Sequence, residues 1–218
     1  MNKILQLTKH QSPVESCERP KSYGGRATGR VSKRQWLDAA LEVLASDGVD
    51  AVRIASLART LNISKSGFYW HFKNRDDLLA EMRSYWIDEF SQQIIDEFDK
   101  QIISEVPYQD YLLRERLLTL VWTIRKKQSG KYDLAFTSWA QRDPLVRELV
   151  DRVRDMRATF VKRLLAHSGC TGDELESRAR LFVVYFSWSE VMFKQTAAGL
   201  EGEPLDDILK IIAGPAGN

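Results

Sequence analysis

The sequence predicts an all-α protein, with an N-terminal three-helix helix-turn-helix head at residues 32–79 and a larger helical body at 80–218. Three observations lead there. Apolar residues recur at helical spacing in segment after segment, sustained period-two alternation is missing, and capping residues or Gly/Pro breaks punctuate the segments. Residues 1–31 lack periodicity and hold Pro13, Pro20, Gly24, Gly25 and Gly29. They read as a flexible arm. Its basic residues, Arg19, Lys21, Arg26 and Arg30, fit either a solvated tail or an arm that touches DNA.

Helix one is expected over 33–47. Ser32 and Gln35 form a capping box, Trp36, Ala40, Val43 and Leu44 share a face, and Gly48 offers a left-handed stop. Ile54, Leu57, Ala58 and Leu61 then repeat at i, i+3, i+4, i+7, giving helix two. Asn62, a side chain that tolerates left-handed backbone, marks the turn. Ser64 is placed to cap helix three, about 65–71, whose inner face is Phe68 and Phe72. Asn74 caps a long fourth helix that starts near Arg75 and runs to about 103, with Leu78, Leu79 and Met82 inward. Further helices are expected near 107–128, 132–141, 144–168, 173–197 and 205–213, with breaks at Val106-Pro107, Ser129-Gly130, Asp143-Pro144, Gly169 to Gly172 and Pro204.

Charge is nearly balanced overall, 32 Lys/Arg against 30 Asp/Glu, but unevenly spread. Residues 1–79 carry 13 basic and 8 acidic side chains, a balance of +5, and the remainder carries 19 and 22, a balance of −3. The basic half contains the head, as a polyanion-binding module would. Cys17 and Cys170 are far apart and make no disulfide framework, which fits a reducing cytoplasm. No signal-peptide core opens the chain, and its longest apolar run, Leu181 to Phe186, is too short for a bilayer. A cytoplasmic protein is expected. His10, His71 and His167 are isolated, and no phosphate loop or nucleophile elbow occurs, so neither an enzyme, a metal nor a cofactor is indicated.

Helix two, a short turn and helix three make a helix-turn-helix, in which the second helix enters the major groove. Phe68 and Phe72 dock that helix, leaving Lys65, Ser66, Gly67, Tyr69, Trp70 and His71 outward or at the borders. Gly67 costs about 1 kcal/mol of helix propensity and would let backbone approach DNA. Tyr69 and His71 suit phosphate oxygens, and Lys65 suits a guanine edge. The bland alternative is a plain packing unit.

Residues 33–79 resemble the DNA-binding domain of the tetracycline-repressor (TetR) family of transcriptional regulators. The matching run is Gly48, Leu57-Ala58, Ile63-Ser64, and above all Phe68-Tyr69-Trp70-His71-Phe72-Lys73-Asn74-Arg75 with Leu78-Leu79. The resemblance implies phosphate contacts from Tyr69, His71 and Arg75, base reading by Lys65, Ser66 and Gly67, and Trp70 against the backbone, with Lys73 in the basic segment. Two positions depart from the family pattern. Asn62 replaces a turn Gly, and Arg53 replaces the Ser or Thr that caps helix two, which weakens that cap or frees Arg53 for a phosphate.

The body resembles the same family more weakly. The resemblance implies that its last two long helices pair with those of a second copy. The run Leu181-Phe182-Val183-Val184-Tyr185-Phe186 is apolar all round and calls for cover on both sides. Met156, Phe160, Leu164, Phe182, Tyr185 and Phe186 are the expected interface; a central helix in a monomer is the alternative. Two heads about 34–36 Å apart match successive major grooves of a palindrome. Trp86, Phe90, Trp122, Phe136, Trp139, Trp188 and Phe193 either fill a core or, as the resemblance implies, line a pocket for an apolar or aromatic effector. The expected function is a homodimeric, ligand-responsive transcription regulator, a repressor, on a palindromic duplex. The alternatives are the same head without an effector, or a helical adaptor that binds protein.

Overall fold

The computed structural model describes residues 31–104, 110–166, 170–192 and 205–213. Every regular element among them is helical. The arm up to Arg30, the break at Val106-Pro107, the end of the 173–197 helix, His10, Cys17, His167 and Phe193 lie outside the described residues.

α1 runs Lys33–Asp47 and opens on the expected capping box: Ser32 N donates to Gln35 Oε1 at 2.8 Å and Gln35 N to Ser32 Oγ at 3.3 Å. It stops at Gly48, with φ +80° and ψ 173°. That is extended glycine backbone rather than the compact left-handed well expected there. A 3-10 turn, Val49–Ala51, leads to α2, Ile54–Thr60. α2 ends as the sequence suggests, with Asn62 at φ +53°. Ile63 N reaches Ala58 O at 3.0 Å and Asn62 N reaches Arg59 O at 3.1 Å, the paired bonds of a Schellman motif with Asn in the glycine place.

The third helical piece, Lys65–Trp70, winds as a 3-10 helix rather than an α-helix. Ser64 precedes it without a side-chain cap, because its hydroxyl pairs with that of Ser66 at 2.7 Å. With so few bonds available, a short tight coil replaces the α-turn. Asn74 does cap, accepting from Asp77 N at 2.9 Å, and α3 follows as Arg75–Ile87.

α3 continues through a π turn, Asp88–Gln92, into α4, Gln93–Ser104. The body adds α5 Asp110–Lys126, α6 Ser129–Ala140, α7 Pro144–Ala166, α8 Gly172–Met192 and α9 Leu205–Ala213. The expected break at Ser129-Gly130 lies one residue earlier, at Gln128, which has φ +50°. α6 therefore begins at Ser129 itself. Asp143 caps α7 through Leu145 N at 3.0 Å, with Pro144 in the first-turn place that needs no N–H.

Two apolar cores result. The first joins Trp36, Leu41, Phe68, Phe72, Leu78 and Met82 to Trp86, Phe136 and Val150. It crosses residue 80, so the head shares its core with α6 and the start of α7. The second joins Ile94, Phe98, Leu117, Phe160, Phe182 and Leu209 across α4, α5, α7, α8 and α9. α7 passes from one to the other between Val153 and Phe160, and the long helix passes between Trp86 and Ile94 at its π turn.

Candidate nucleic-acid interface and effector cavity

Trp36 and Phe68 meet edge to face at 5.3 Å, and Phe68 and Phe72 lie 5.1 Å apart. All three are sealed from solvent. With that side anchored, the 3-10 helix presents Lys65, Ser66, Tyr69 and Trp70 outward. Tyr69 is 62% exposed and Trp70 71%. Three residues per turn places Ser66 directly under Tyr69 and Gly67 under Trp70, a narrower ridge than an α-helix gives. Gly67 is only half-buried, and a Cβ there would meet Ile63 Cδ1 at 3.3 Å. The absent side chain leaves Ile63 undisturbed. Arg53 and Lys73 are exposed on the same head.

Two expected phosphate ligands are held within the chain. His71 Nε2 is 2.8 Å from Val31 O and ties the entry of α1 to the end of the 3-10 helix. Arg75 donates from Nε to Val52 O at 2.7 Å and from a terminal nitrogen to Val49 O at 2.6 Å. It braces the turn before α2. Arg53 donates from Nε to Asp50 O at 3.0 Å and gives α2 no side-chain cap.

A polar strip joins the head to the body. Lys131 and Tyr132 on α6 bind Glu42 on α1, and Tyr85 binds Asp38. Glu89 Oε1 takes both Lys127, at 2.7 Å, and Arg34 of α1, at 3.1 Å. Burial alone would raise the Glu42 and Glu89 carboxyls. The hydrogen bonds and charges of Lys131 and Tyr132 on one, and of Lys127 and Arg34 on the other, hold both below the usual carboxylate range. Burial, reinforced by Asp38 at Tyr85 and by Glu42 at Tyr132, pushes both hydroxyls above the usual tyrosine value.

A second polar group sits at the seam of the two cores. Arg157 grips Asp133 with both terminal nitrogens, at 2.6 and 3.1 Å, and donates from Nε to Ser91 Oγ at 2.9 Å. Trp86 Nε1 donates to the same Asp133 at 3.0 Å. Sequence reasoning missed this pair, although its trace is visible. Val146, Val150, Val153, Arg157, Phe160 and Leu164 follow steps of four and three, with an arginine where the stripe calls for an apolar residue.

Beside Arg157 lies a cavity of about 40 Å³, walled by Phe90, Ile94, Ile124, Phe160, Phe182 and Phe186. That is room for one or two waters, at about 30 Å³ each. Of the rings expected to line a pocket, Phe90 alone among the described residues reaches this space. Trp86, Phe136 and Trp139 instead stack in the first core, at 4.2 and 5.7 Å, and Trp122 is half exposed on α5. Trp86 and Trp188 border a different space, an open groove of about 490 Å³ along α6, α7 and α8.

The expected interface set is also rearranged. Phe160, Leu164, Phe182 and Phe186 are buried in the second core, with Met156 and Tyr185 packed at its margin. A helix cannot offer one side chain both to its own body and to a partner. Among the described side chains of α8, Leu181 and Val184 are exposed large apolar ones, at 48% and 60%. Among the described residues, no three His, Cys, Asp or Glu could hold a metal, and no helix is long and apolar enough to cross a membrane.

A short helix is thus docked behind an Asn-turned α2, with its outer edge exposed. Residues 37–82 match the family model of bacterial regulatory proteins, tetR family. The head belongs to the tetR family. Over 50 residues it is 40% identical to the tetracycline repressor protein class D of Escherichia coli. That match covers 23% of this chain and 23% of the relative, so it concerns the tetR-family head alone. The whole fold is similar to a transcriptional regulator from Rhodococcus sp. Rha1, with a TM-score of 0.61 and 18% identity, over 85% of this chain and 96% of that one. It is also similar to the transcriptional regulator FadR from Bacillus subtilis, solved in complex with stearoyl-CoA, with a TM-score of 0.60 and 17% identity, over 84% and 98% of the chains.

Proposed function

We propose that this chain is a DNA-binding transcription regulator whose head reads a palindromic duplex and whose body pairs with a second copy and answers an apolar effector. The observation that carries the reading is the head's exposed edge: Tyr69 and Trp70 are 62% and 71% exposed while Phe68 is fully buried. An aromatic pair that exposed, flanked by Lys65 and Lys73, is a poor use of apolar surface unless sugar and phosphate cover it. Tyr69, Trp70, Lys65, Lys73 and Arg53 are the contacts; His71 and Arg75 position the helix by gripping Val31, Val49 and Val52.

Pairing with a second copy rests on the exposed Leu181 and Val184 beside Trp188 and the open groove. An apolar effector is in keeping with the cavity walls and with FadR's stearoyl-CoA complex. The small volume of the cavity, about 40 Å³, favours a second reading, the same head without an effector. Binding selection from a random duplex pool tests the main reading. The expected product is a two-half-site palindrome bound with a steep salt dependence. Equal retention of all duplexes, or none, would overturn it.

A further inference from the structure

Met82, Trp86, Phe90, Ile94 and Phe98 lie four residues apart along the long helix and face inward, Phe90 partly. In an α-helix each such step drifts about 40° around the axis, or about 160° over the four. No single apolar stripe survives that drift. The π turn Asp88–Gln92 takes up about 100° of it with one extra residue, closed by Gln93 N on Asp88 O. A π turn is a costly form and needs outside support. Here two cations supply it. Lys127 Nζ donates to Glu89 O at 2.8 Å, and Arg157 donates to Phe90 O at 3.3 Å and to Ser91 Oγ.

The same five residues face two ways. Phe90 and Ser91 wall the cavity, while Glu89 holds Arg34 of the DNA-binding head. They also sit where the chain crosses from one core to the other, with Phe90 at the margin of the first core against Tyr132. The cavity is too small for an effector and must grow to hold one, and the π turn is one of its walls. We propose that the π turn is the joint through which occupancy of this cavity reaches the head: a guest displaces Arg157 from Phe90 and Ser91, the extra residue shifts along the helix, and Glu89 leaves Arg34. This rests on the ligand-responsive reading above.

A tryptophan in place of Ile124, which lines the cavity from α5, stands in for a guest. Deleting Gln92, an exposed residue bonded only along its own helix to Asp96, removes the extra residue. In the full chain, Ile124→Trp should weaken binding to the selected duplex about ten-fold or more, and by less than about two-fold once Gln92 is deleted. Hydrogen exchange of residues 86–95 should quicken with Ile124→Trp and not in the double variant. That measurement needs no DNA, so it decides the proposal even if the DNA-binding reading fails. Should the deletion not melt cooperatively, Lys127→Met, which removes the cation on Glu89 O, replaces it in the cycle with the same expectation. Purely additive effects, or no effect of Ile124→Trp on either readout, would overturn the proposal.

Discussion

Phe68 and Tyr69 are neighbours whose rings touch edge to face at 5.3 Å, yet one is sealed and the other stands in solvent. The two should fail differently. Phe68→Ala empties a slot against Trp36 and should cost about 3–5 kcal/mol in denaturant unfolding. Tyr69→Ala should leave stability within about 0.5 kcal/mol while weakening all duplexes alike, measured by fluorescence anisotropy. Lys73→Ala should lower the salt slope of binding by about one, since one phosphate contact is lost. Lys65→Ala should in addition flatten the base preference seen in selection. If Tyr69→Ala binds as the parent does, the head docks on some other edge.

At the scale of elements, what the sequence announced were local bargains. Ser32 with Gln35, Asn74 before its first turn, Asp143 with Pro144, and Asn62 at a positive φ are each readable because one short side chain satisfies one nearby backbone group. Asn62→Val should cost about 1–2 kcal/mol, because a branched residue resists that left-handed backbone. Gln128 shares the conformation without Asn's tolerance, and Gln128→Gly should stabilise by roughly 0.5–1 kcal/mol once glycine's entropy is set against the relieved strain. Thermal melts of the two variants give opposite signs. What stayed hidden depended on distant partners. Arg75 looked like a free cation until Val49 and Val52 came within reach of it. Phe182 and Phe186 looked available to a partner until the second core took them in. The π turn was spelled out by the four-residue spacing, but only a helix long enough to accumulate the drift makes that spacing meaningful.

Across the whole molecule, the head is coupled to the body by carboxylates whose folded values lie below their unfolded ones. Glu42 and Glu89 therefore contribute stability that is present above the ordinary carboxylate value, about 4.3, and is lost as pH falls through their lower folded values. Parent and Glu42→Gln/Glu89→Gln chains should differ in melting temperature at pH 7 and converge under acid, with no such convergence toward alkaline pH. Under the proposed function, a pair of chains would also hold two heads at a fixed spacing to read a palindrome. Val184 and Leu181 are an exposed apolar pair on α8, away from both cores. Val184→Glu places a charge in that face while leaving the fold's interior untouched. It should yield a monomer in sedimentation equilibrium that melts cooperatively. Its affinity for a two-half-site duplex should fall by roughly 10²–10⁴, since the second head loses its effective concentration, whereas binding to a single half-site should hardly change. A Val184→Glu chain that still sediments as a dimer would move the pairing surface elsewhere on the body.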